Sequence, residues 1–285
     1  MEFDIVESWD GLKWAIRHGK RYEHDKAVLS KGELCVLRAL TTLASRDKTF
    51  ADVGSHVGYY TCRMAKLYRH VYAFEPNPET RENLQRNISL NNLDNVTVYP
   101  YALGDKEEVK KLHMASASST LLDGYPSWGT VDVEVKRMDS LIDSVDVVKI
   151  DVEGYELNVL RGMKRIIDTC KPSLVIEHHE FRFYRINTYP VIRKQLTDMG
   201  YVMIFLSEPH RLYYHRSRGM DAVRDLIADH WINYCILNLR QGRDWYHGLP
   251  YTWWWGMNLV DFIHEIRNHV DEEPLWVDLI TKHNF

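Results

Sequence analysis

Asp52, Gly54 and Gly58 stand close together where the residue pattern changes from strand-like to helix-like. Glycines at such a junction let the chain turn tightly and let a ligand approach the backbone. Glu75 ends the next apolar run, 21 positions after Gly54, where a carboxylate can accept hydrogen bonds from ribose hydroxyls. This order of residues predicts a binding site for a nucleoside-containing cofactor.

Two classes of cofactor use this layout. A dinucleotide needs its pyrophosphate held at a helix N-terminus, and its usual fingerprint is GxGxxG. Here the spacing is GxxxG, and the carboxylate of Asp52 would repel a pyrophosphate. The same carboxylate can pair with the cationic amino group of a bound methionine moiety, directly or through water. The charge argument therefore favours S-adenosylmethionine over NAD, and an NAD-dependent oxidoreductase is the alternative from another class.

A second set of ionisable residues follows two later apolar runs. The set consists of Asp151, Glu153 and Glu156 after the first run, and Glu177, His178 and His179 after the second. The carboxyl ends of neighbouring parallel strands meet at one cleft, so these side chains should lie close together. Histidine suits a general base because its ordinary pKa lies near neutrality. We expect His178 or His179 to be the base and Asp151 to orient the acceptor.

Carboxylates beside an imidazole can also hold a divalent cation such as Mg²⁺ or Mn²⁺. The candidate ligands are Asp151, Glu177 and His179, because alternation along a strand places Glu177 and His179 on one face. Glu153 and Glu156 have another explanation, since the start of a helix favours negative charge. The spacing is unspecific for a metal, so the metal-free site is the favoured interpretation.

The elements that must position these residues alternate between strand and helix. Strand patterns occur at 48–54, 70–76, 95–104, 146–154, 172–179, 201–207 and 232–239, and helical patterns at 59–69, 77–92, 155–169 and 188–200. Such alternation is typical of a parallel sheet with right-handed crossovers. Residues 105–145 interrupt the rhythm, and their alternating runs predict a hairpin near the mouth of the sheet.

The chain divides into three predicted parts. Residues 1–46 are a helical lead-in, in which Ser30 and Glu33 form a capping box before a helix. Residues 47–240 are the alternating domain. Residues 241–285 are an aromatic-rich C-terminal extension that either caps the core or lines a substrate pocket. The basic stretch at 210–218 is expected to be a solvated loop, although it could also grip a phosphate of an acceptor.

Several segments resemble the FkbM family of methyltransferases. They span about residues 49–206 and read FADVGSHVGYYT, VYAFEPNP, ALGD, VVKIDVEGYELNVLRG and PSLVIEHH. The resemblance implies an α/β, Rossmann-like class I methyltransferase fold, with a seven-stranded, mostly parallel sheet, a reversed last strand and helices on both faces. It also implies methyl transfer to a hydroxyl, often on a sugar or on a glycosylated or polyketide natural product.

The resemblance also carries over to single residues. It places Asp52, Gly54 and Gly58 in the cofactor loop, Glu75 at the ribose and Asp151 at the end of the fourth strand. Tyr101 and Ala102 fall where such enzymes place the adenine. The predicted cofactor contacts further include Ser55, His56 and Pro76. Position 56 is a histidine where the family often has asparagine, so its contact differs from the family's pattern.

The composition limits which binding partners and which cellular location we expect for this protein. The formal net charge of −4 over 285 residues disfavours a general nucleic-acid binder. The four cysteines are far apart without a CxxC pair, which disfavours structural zinc and disulfides and favours free thiols. The polar N-terminus and the lack of a long apolar run predict a cytoplasmic protein without a membrane span.

These observations together predict one main function and one alternative within the same reaction class. The main function is S-adenosylmethionine-dependent O-methylation of a sugar, glycan or glycosylated natural product, so the predicted partner is a small-molecule or glycan acceptor. The alternative acceptor is RNA or another phosphorylated polymer, which the net charge does not favour. Nothing in the sequence fixes the oligomeric state.

Overall fold

A computed structural model describes residues 2–226, except 31–32, 116–118, 126, 182–185, 208 and 224–225. At 180–181, 186–187 and 205 only the backbone is described. The predicted strand at 232–239 and the aromatic-rich extension at 241–285 lie outside these residues. The boundaries of the three parts therefore stay predictions.

The lead-in begins with a hairpin, so a purely helical lead-in is wrong. Its elements are β1 (Phe3–Glu7), antiparallel to β2 (Lys13–Arg17), a 3-10 helix (Lys20–Leu29) and α1 (Leu34–Thr42). The predicted capping box is also wrong. Ser30 ends the 3-10 helix, and its hydroxyl donates to the Ala27 carbonyl at 2.8 Å. Glu33 precedes α1 in a left-handed conformation, and its carboxylate accepts from the Tyr60 hydroxyl instead of capping the helix.

The first half of the core follows the predicted alternation closely. Its elements are β3 (Thr49–Val53), α2 (Tyr59–Ala65), β4 (His70–Phe74), α3 (Pro78–Leu90) and β5 (Val96–Tyr99). Asn77 caps α3, because its side chain accepts from the Glu79 backbone N–H at 3.1 Å. Pro78 occupies the first helical position, where its missing N–H costs nothing.

The predicted hairpin inside 105–145 is confirmed. Its elements are β6 (Ala102–Leu103), β7 (Glu108–Met114), β8 (Gly129–Lys136) and α4 (Met138–Leu141). β7 pairs with β8 in antiparallel register, and β6 joins β8 in parallel, which makes a small separate sheet. This sheet follows directly after β5, so it lies beside the edge where the cofactor loop is expected.

The second half of the core completes the sheet. Its elements are β9 (Val147–Ile150), α5 (Glu156–Gly162), α6 (Lys164–Cys170), β10 (Ser173–Glu177), the short pair β11 (Glu180–Phe181) and β12 (Ile186–Asn187), α7 (Tyr189–Asp198), β13 (Tyr201–Ser207) and β14 (His210–His215). The sequence predicts one helix over 155–169, but Met163 separates α5 from α6. Short 3-10 turns follow at Arg216–Arg218 and Asp221–Val223.

Within the described residues, seven strands form the main sheet in the order β13-β14-β10-β9-β3-β4-β5. β14 is antiparallel to both of its neighbours, and the pairs among β10, β9, β3, β4 and β5 are parallel. The reversed strand is therefore the segment expected to be a solvated loop, and that expectation is wrong. All six residues of β14 are buried, because the strand lies between β10 and β13.

Helices cover both faces of the sheet. α5, α6 and α7 pack their apolar side chains on one face, and α1 and α2 pack on the other. The predicted Rossmann-like α/β fold with a seven-stranded, mostly parallel sheet is confirmed. Among the helices of the described residues, we find none that is long and apolar enough to cross a membrane. The cytoplasmic location stays a prediction.

Candidate active site

A cleft of about 350 Å³ opens at the carboxyl ends of the parallel strands. Its walls come from the loop after β3, the end of β4, the segment after β5 and the residues that follow β9. The 3-10 helix of the lead-in and the β7–β8 hairpin also contribute to the lining, through Ala27, Val28, Leu112 and Leu121. Parallel sheets bind their ligands at this edge, so the cleft lies where the sequence predicts the cofactor.

Gly54 is forced to be glycine by the backbone that it touches. Its φ of 84° is left-handed, and a Cβ there would stand 1.8 Å from the carbonyl oxygen of Asp151. Gly58 also has positive φ, and a Cβ on it would meet Leu84 at 2.7 Å. The two glycines therefore bring the loop after β3 against the end of β9 and against α3. Both glycines are therefore explained by the packing of the loop on its neighbours.

Glu75 is the predicted ribose acid, and the structure places it in the cleft lining. Its two carboxylate oxygens accept backbone N–H groups from His56 and Asn77, each at 2.9 Å. Burial raises the pKa of Glu75 to about 7, and these two hydrogen bonds partly oppose that rise. The carboxylate is thus fixed in orientation and keeps free lone pairs for hydroxyl groups of a ligand.

Most of the other predicted cofactor contacts line the cleft, whereas Gly58 and Asp52 do not. Ser55, His56, Pro76, Tyr101 and Ala102 all line the cleft together with Glu75. Tyr101 and Ala102, which the resemblance places at the adenine, follow β5 and line the cleft.

Asp52 does not line the cleft. Its side chain is buried beside α2, where one carboxylate oxygen accepts from the Thr61 hydroxyl at 2.6 Å. The other oxygen has no hydrogen-bond partner among the described residues. Burial raises the pKa of Asp52, while the charge of Lys149 lowers it. The direct contact between Asp52 and a methionine moiety therefore stays a prediction.

A buried lysine that the sequence analysis did not single out stands at the other end of the cleft. Lys149 is 1% exposed, lines the cleft, and places its ammonium 2.7 Å from Asp151 and 4.0 Å from Glu177. Burial alone would lower the pKa of Lys149, but the two carboxylates raise it well above its usual range. The signal for this residue is a single charge inside the otherwise apolar run VVKI.

Asp151 and Glu177 respond differently to this environment. Burial raises the pKa of Asp151 to about 6, and Lys149 opposes part of that rise. Burial would also raise the pKa of Glu177, but hydrogen bonds from His179 and His210 hold it well below its ordinary range. Glu177 is therefore ionised at neutral pH, and Asp151 titrates close to neutrality.

His179 is enclosed by carboxylates. Its Nδ1 lies 2.9 Å from Glu156, and its Nε2 lies 3.2 Å from Glu153, 3.3 Å from Glu177 and 3.9 Å from Asp151. Burial alone would lower the pKa of His179, but hydrogen bonds to Glu156 and Glu177 raise it to about 11. The ring is an imidazolium at neutral pH, which donates hydrogen bonds and has no lone pair for a proton.

His178 faces the other side of the strand, as the alternation predicts. Its Nε2 lies 3.0 Å from the Tyr213 hydroxyl, and its ring packs edge-on against Tyr189. Burial and the charge of Arg211 lower the pKa of His178 to about 3. The side chain is buried and is not part of the cleft lining. It therefore fits a packing position in the core.

The three predicted metal candidates do come together. Single ligand atoms from Asp151, Glu177 and His179 all lie within 4.8 Å of one another. Glu33, Glu177 and His210 form a second group of this kind. The sequence analysis did not identify Glu33 or His210 as possible metal ligands. His210 comes from β14, directly opposite Glu177, and its Nε2 lies 3.0 Å from the Glu177 carboxylate. A bound metal stays an unfavoured alternative.

The match to a known protein family covers the same residues. The family described as the methyltransferase FkbM domain matches residues 52–203, which is more than half of the chain. This chain belongs to the FkbM methyltransferase family. The predicted resemblance is thereby confirmed, and the matched range includes the glycine loop, Glu75, Lys149, Asp151 and Glu177. Two members of the charged cluster, Glu33 and His210, lie outside the range that matches the FkbM family.

Two curated relatives are similar in sequence to part of this FkbM-family chain. The hexuronic acid methyltransferase AglP from Haloferax volcanii is 30% identical over 156 residues, which cover 52% of this chain and 63% of AglP. Methyltransferase 1 from Beauveria bassiana is 27% identical over 146 residues, which cover 41% of this chain and 59% of that relative. The chain thus spans about three fifths of the length of each of these two relatives.

One solved structure is similar to part of this chain. The methyltransferase FkbM from Methylobacillus flagellatus is 20% identical to this chain and superposes with a TM-score of 0.44. The similarity covers 60% of this chain and 44% of that one.

Proposed function

We propose that this chain transfers a methyl group from S-adenosylmethionine to a hydroxyl of a sugar, a glycan or a glycosylated natural product. One observation carries the proposal: a single cleft is lined by Glu75 at one end and by Lys149, Asp151 and Glu177 at the other. The first end suits a nucleoside, and the second end suits proton transfer from an acceptor. The relative AglP is described as a hexuronic acid methyltransferase, which supports a sugar acceptor.

The residues around Glu75 fit S-adenosylmethionine. Gly54 holds the cleft-lining loop against the end of β9, Glu75 offers oriented acceptors for ribose hydroxyls, and Tyr101 with Ala102 would border the adenine. When it is bound, S-adenosylmethionine supplies a methyl group whose bond to sulfur breaks with the electron pair left on sulfur. The protein must then align the acceptor oxygen and receive its proton.

We assign proton acceptance to Asp151. His179 is an imidazolium at neutral pH and cannot accept a proton, whereas the pKa of Asp151 is about 6. A carboxylate with a pKa near the working pH is suited to a general base. The acceptor hydroxyl gives its proton to Asp151 as its oxygen forms the bond to the methyl carbon. His179 holds Glu177 and Asp151 in place, so this assignment exchanges the roles that the sequence analysis gave to these residues.

The other functions lose their supporting features. The basic stretch that was considered for gripping phosphate has its residues 210–215 buried as β14. An RNA acceptor therefore has no specific observation in its favour among the described residues. An NAD-dependent oxidoreductase would hold a pyrophosphate at the loop after β3, but that loop has the spacing GxxxG instead of the GxGxxG fingerprint.

Calorimetric titration with S-adenosylmethionine, S-adenosylhomocysteine and NAD tests the cofactor. We expect wild type to bind both adenosyl compounds and not NAD, and Glu75→Gln to lose at least about tenfold in affinity for them. A mass-spectrometric assay then offers a neutral hexoside, a hexuronic acid glycoside and a short RNA as acceptors. Binding of NAD alone, or methylation of RNA alone, would contradict the proposal.

A further inference from the structure

Lys149 is a charged side chain in the middle of the sheet. It lies on β9, in register with Asp52 of β3 and Val175 of β10, and is 1% exposed. Buried lysines are rare unless they are paired, because removing an ammonium from water is costly. Packing alone does not require a charge here, since an apolar residue of similar length would fill the same space.

The ammonium is aimed at the reaction end of the cleft. Lys149 and Asp151 are two residues apart on the strand, so their side chains share one face of the sheet. The ammonium nitrogen lies 2.7 Å from Asp151 and 4.0 Å from Glu177, and 4.8 Å from the ring centre of Tyr60. An ammonium has three N–H donors, so it can hold Asp151 while it also neutralises Glu177.

We propose that Lys149 is a positioning residue that acts as a built-in cation, orienting the Asp151 and Glu177 carboxylates around the acceptor hydroxyl in place of a metal ion. The inference rests on the proposed function for the reaction that it serves. The cation itself is a property of the folded chain, so it can be tested without any methyl transfer.

The geometry favours the lysine over a divalent ion. Asp151 and Glu177 are also two of the three ligands in the candidate metal group. A divalent ion bound there would share both carboxylates with the Lys149 ammonium and would be repelled by it.

Several titratable or charged groups face Asp151, so the test must change one of them and keep the others. They are Lys149 on its own strand, Glu177 and His179 from β10 and its end, Glu153 from the loop after β9, and Tyr60 from α2. A variant at position 149 removes the cation and leaves all the others. Lys164 offers a matched control, because it is an exposed lysine that pairs with Asp168 and does not line the cleft.

Mn²⁺ binding, followed by electron paramagnetic resonance, measures the cation directly. We expect Lys149→Met and Lys149→Gln to bind Mn²⁺ at least about tenfold more tightly than wild type, and Lys149→Arg and Lys164→Met to behave as wild type. Adding Asp151→Asn to Lys149→Met should abolish the gain. A tight Mn²⁺ site in wild type would overturn the proposal, and so would unchanged affinity in both neutral variants.

Kinetics test the positioning role separately. We expect Lys149→Met to lower kcat at least about a hundredfold with little change in the KM for S-adenosylmethionine. Lys149→Arg should have a higher kcat than Lys149→Met, because it keeps a positive charge at this position. Equal kcat in wild type and Lys149→Met would overturn the proposal. Thermal melting shows whether each variant is folded. If wild type methylates no acceptor, the proposed function fails, while the Mn²⁺ result still decides the role of Lys149.

Discussion

The proposed ribose contact of Glu75 should depend on pH for two reasons. Burial raises its pKa to about 7, and its carboxylate must be ionised to accept two hydroxyl groups fully. We therefore expect the affinity for S-adenosylmethionine to rise roughly tenfold between about pH 6 and pH 8. Calorimetry at both pH values checks this, with Glu75→Gln as the variant whose weaker affinity should not change in this way. An equal slope in both proteins would assign the titration to another group.

The same burial has a cost in stability. The folded protein holds the Glu75 proton more tightly than the unfolded chain, whose glutamates titrate at about pH 4.3. Stability is therefore lost as the pH rises from about 4.3 to 7. We expect Glu75→Gln to stabilise the ligand-free protein by roughly 2 kcal/mol at about pH 8, after subtracting one lost backbone hydrogen bond. Urea unfolding should show this gain disappearing at about pH 5.

Gly54 tests the cofactor loop without changing any charge. In Gly54→Ala the new Cβ would collide with the Asp151 carbonyl at 1.8 Å, in addition to the strain of a φ of 84°. We expect Gly54→Ala to lower the free energy of unfolding by about 3 kcal/mol or more. We also expect this variant to lose cofactor binding. Gly11→Ala is the matched control, because φ is 76° and nothing lies within 4 Å of its Cβ. Gly11→Ala should lower the free energy of unfolding by only about 1 kcal/mol, as measured by denaturant unfolding. Equal losses would show that strain alone acts.

Single residues were predictable where a backbone constraint leaves a mark in the sequence. Gly54 and Glu75 lie at strand ends, and position along the chain is enough to place them in one cleft. Lys149 was missed because one lysine in an apolar run looks like an ordinary strand residue. The surroundings of His179 could not be predicted from the sequence, for another reason. The sequence brings Glu177 and His179 to one face, but four carboxylates around one imidazole follow only from the tertiary structure.

At the level of elements, β14 shows where the sequence pattern misleads. Its residues HRLYYH are basic and aromatic, and such a composition is typical of a solvated loop. Burial of the strand is compatible with these side chains because three of them find polar partners nearby. His210 pairs with Glu177, the Arg211 guanidinium donates to the Ser207 carbonyl, and the Tyr213 hydroxyl contacts His178. These partners lie more than thirty residues away in two of the three cases, beyond any local pattern.

The contact between α5 and the segment after β6 gives a prediction for an element. Gly162 ends α5, and a Cβ on it would stand 1.9 Å from the carbonyl oxygen of Gly104. Alanine for glycine normally stabilises a helix by about 1 kcal/mol. Here we expect Gly162→Ala to destabilise by about 2 kcal/mol or more, measured by thermal unfolding. Gly129→Ala in β8 is the control, since its nearest neighbour is a flexible methionine at 3.5 Å. A stabilised Gly162→Ala would refute the close contact.

On the scale of the whole molecule, the lead-in shares its backbone hydrogen bonds with the core. Three asparagines spaced four residues apart, two in α3 and one directly after it, face the strand β2 of the lead-in. Asn91 bonds both the N–H and the carbonyl of Lys13, Asn87 accepts from the Ala15 N–H, and Asn83 donates to the Ala15 carbonyl. The predicted boundary at residue 46 is thus crossed by a ladder of side chains. The asparagine spacing was visible in the sequence, but its partner strand was not.

Asn87 is the central member of this ladder and decides whether the two parts unfold together. Its side chain accepts from the Ala15 N–H and donates to the Val57 carbonyl in the loop after β3, both at 2.8 Å. Asn87→Ala leaves two buried backbone groups unpaired, so we expect a loss of about 2–4 kcal/mol. Hydrogen exchange should then show peptides of β2 and of the β3–α2 region losing protection by the same factor, because one opening exposes both. Loss of protection in β2 alone would mean that the lead-in opens independently of the core. Asn91→Ala, at the exposed end of the ladder, should cost less and serves as the control.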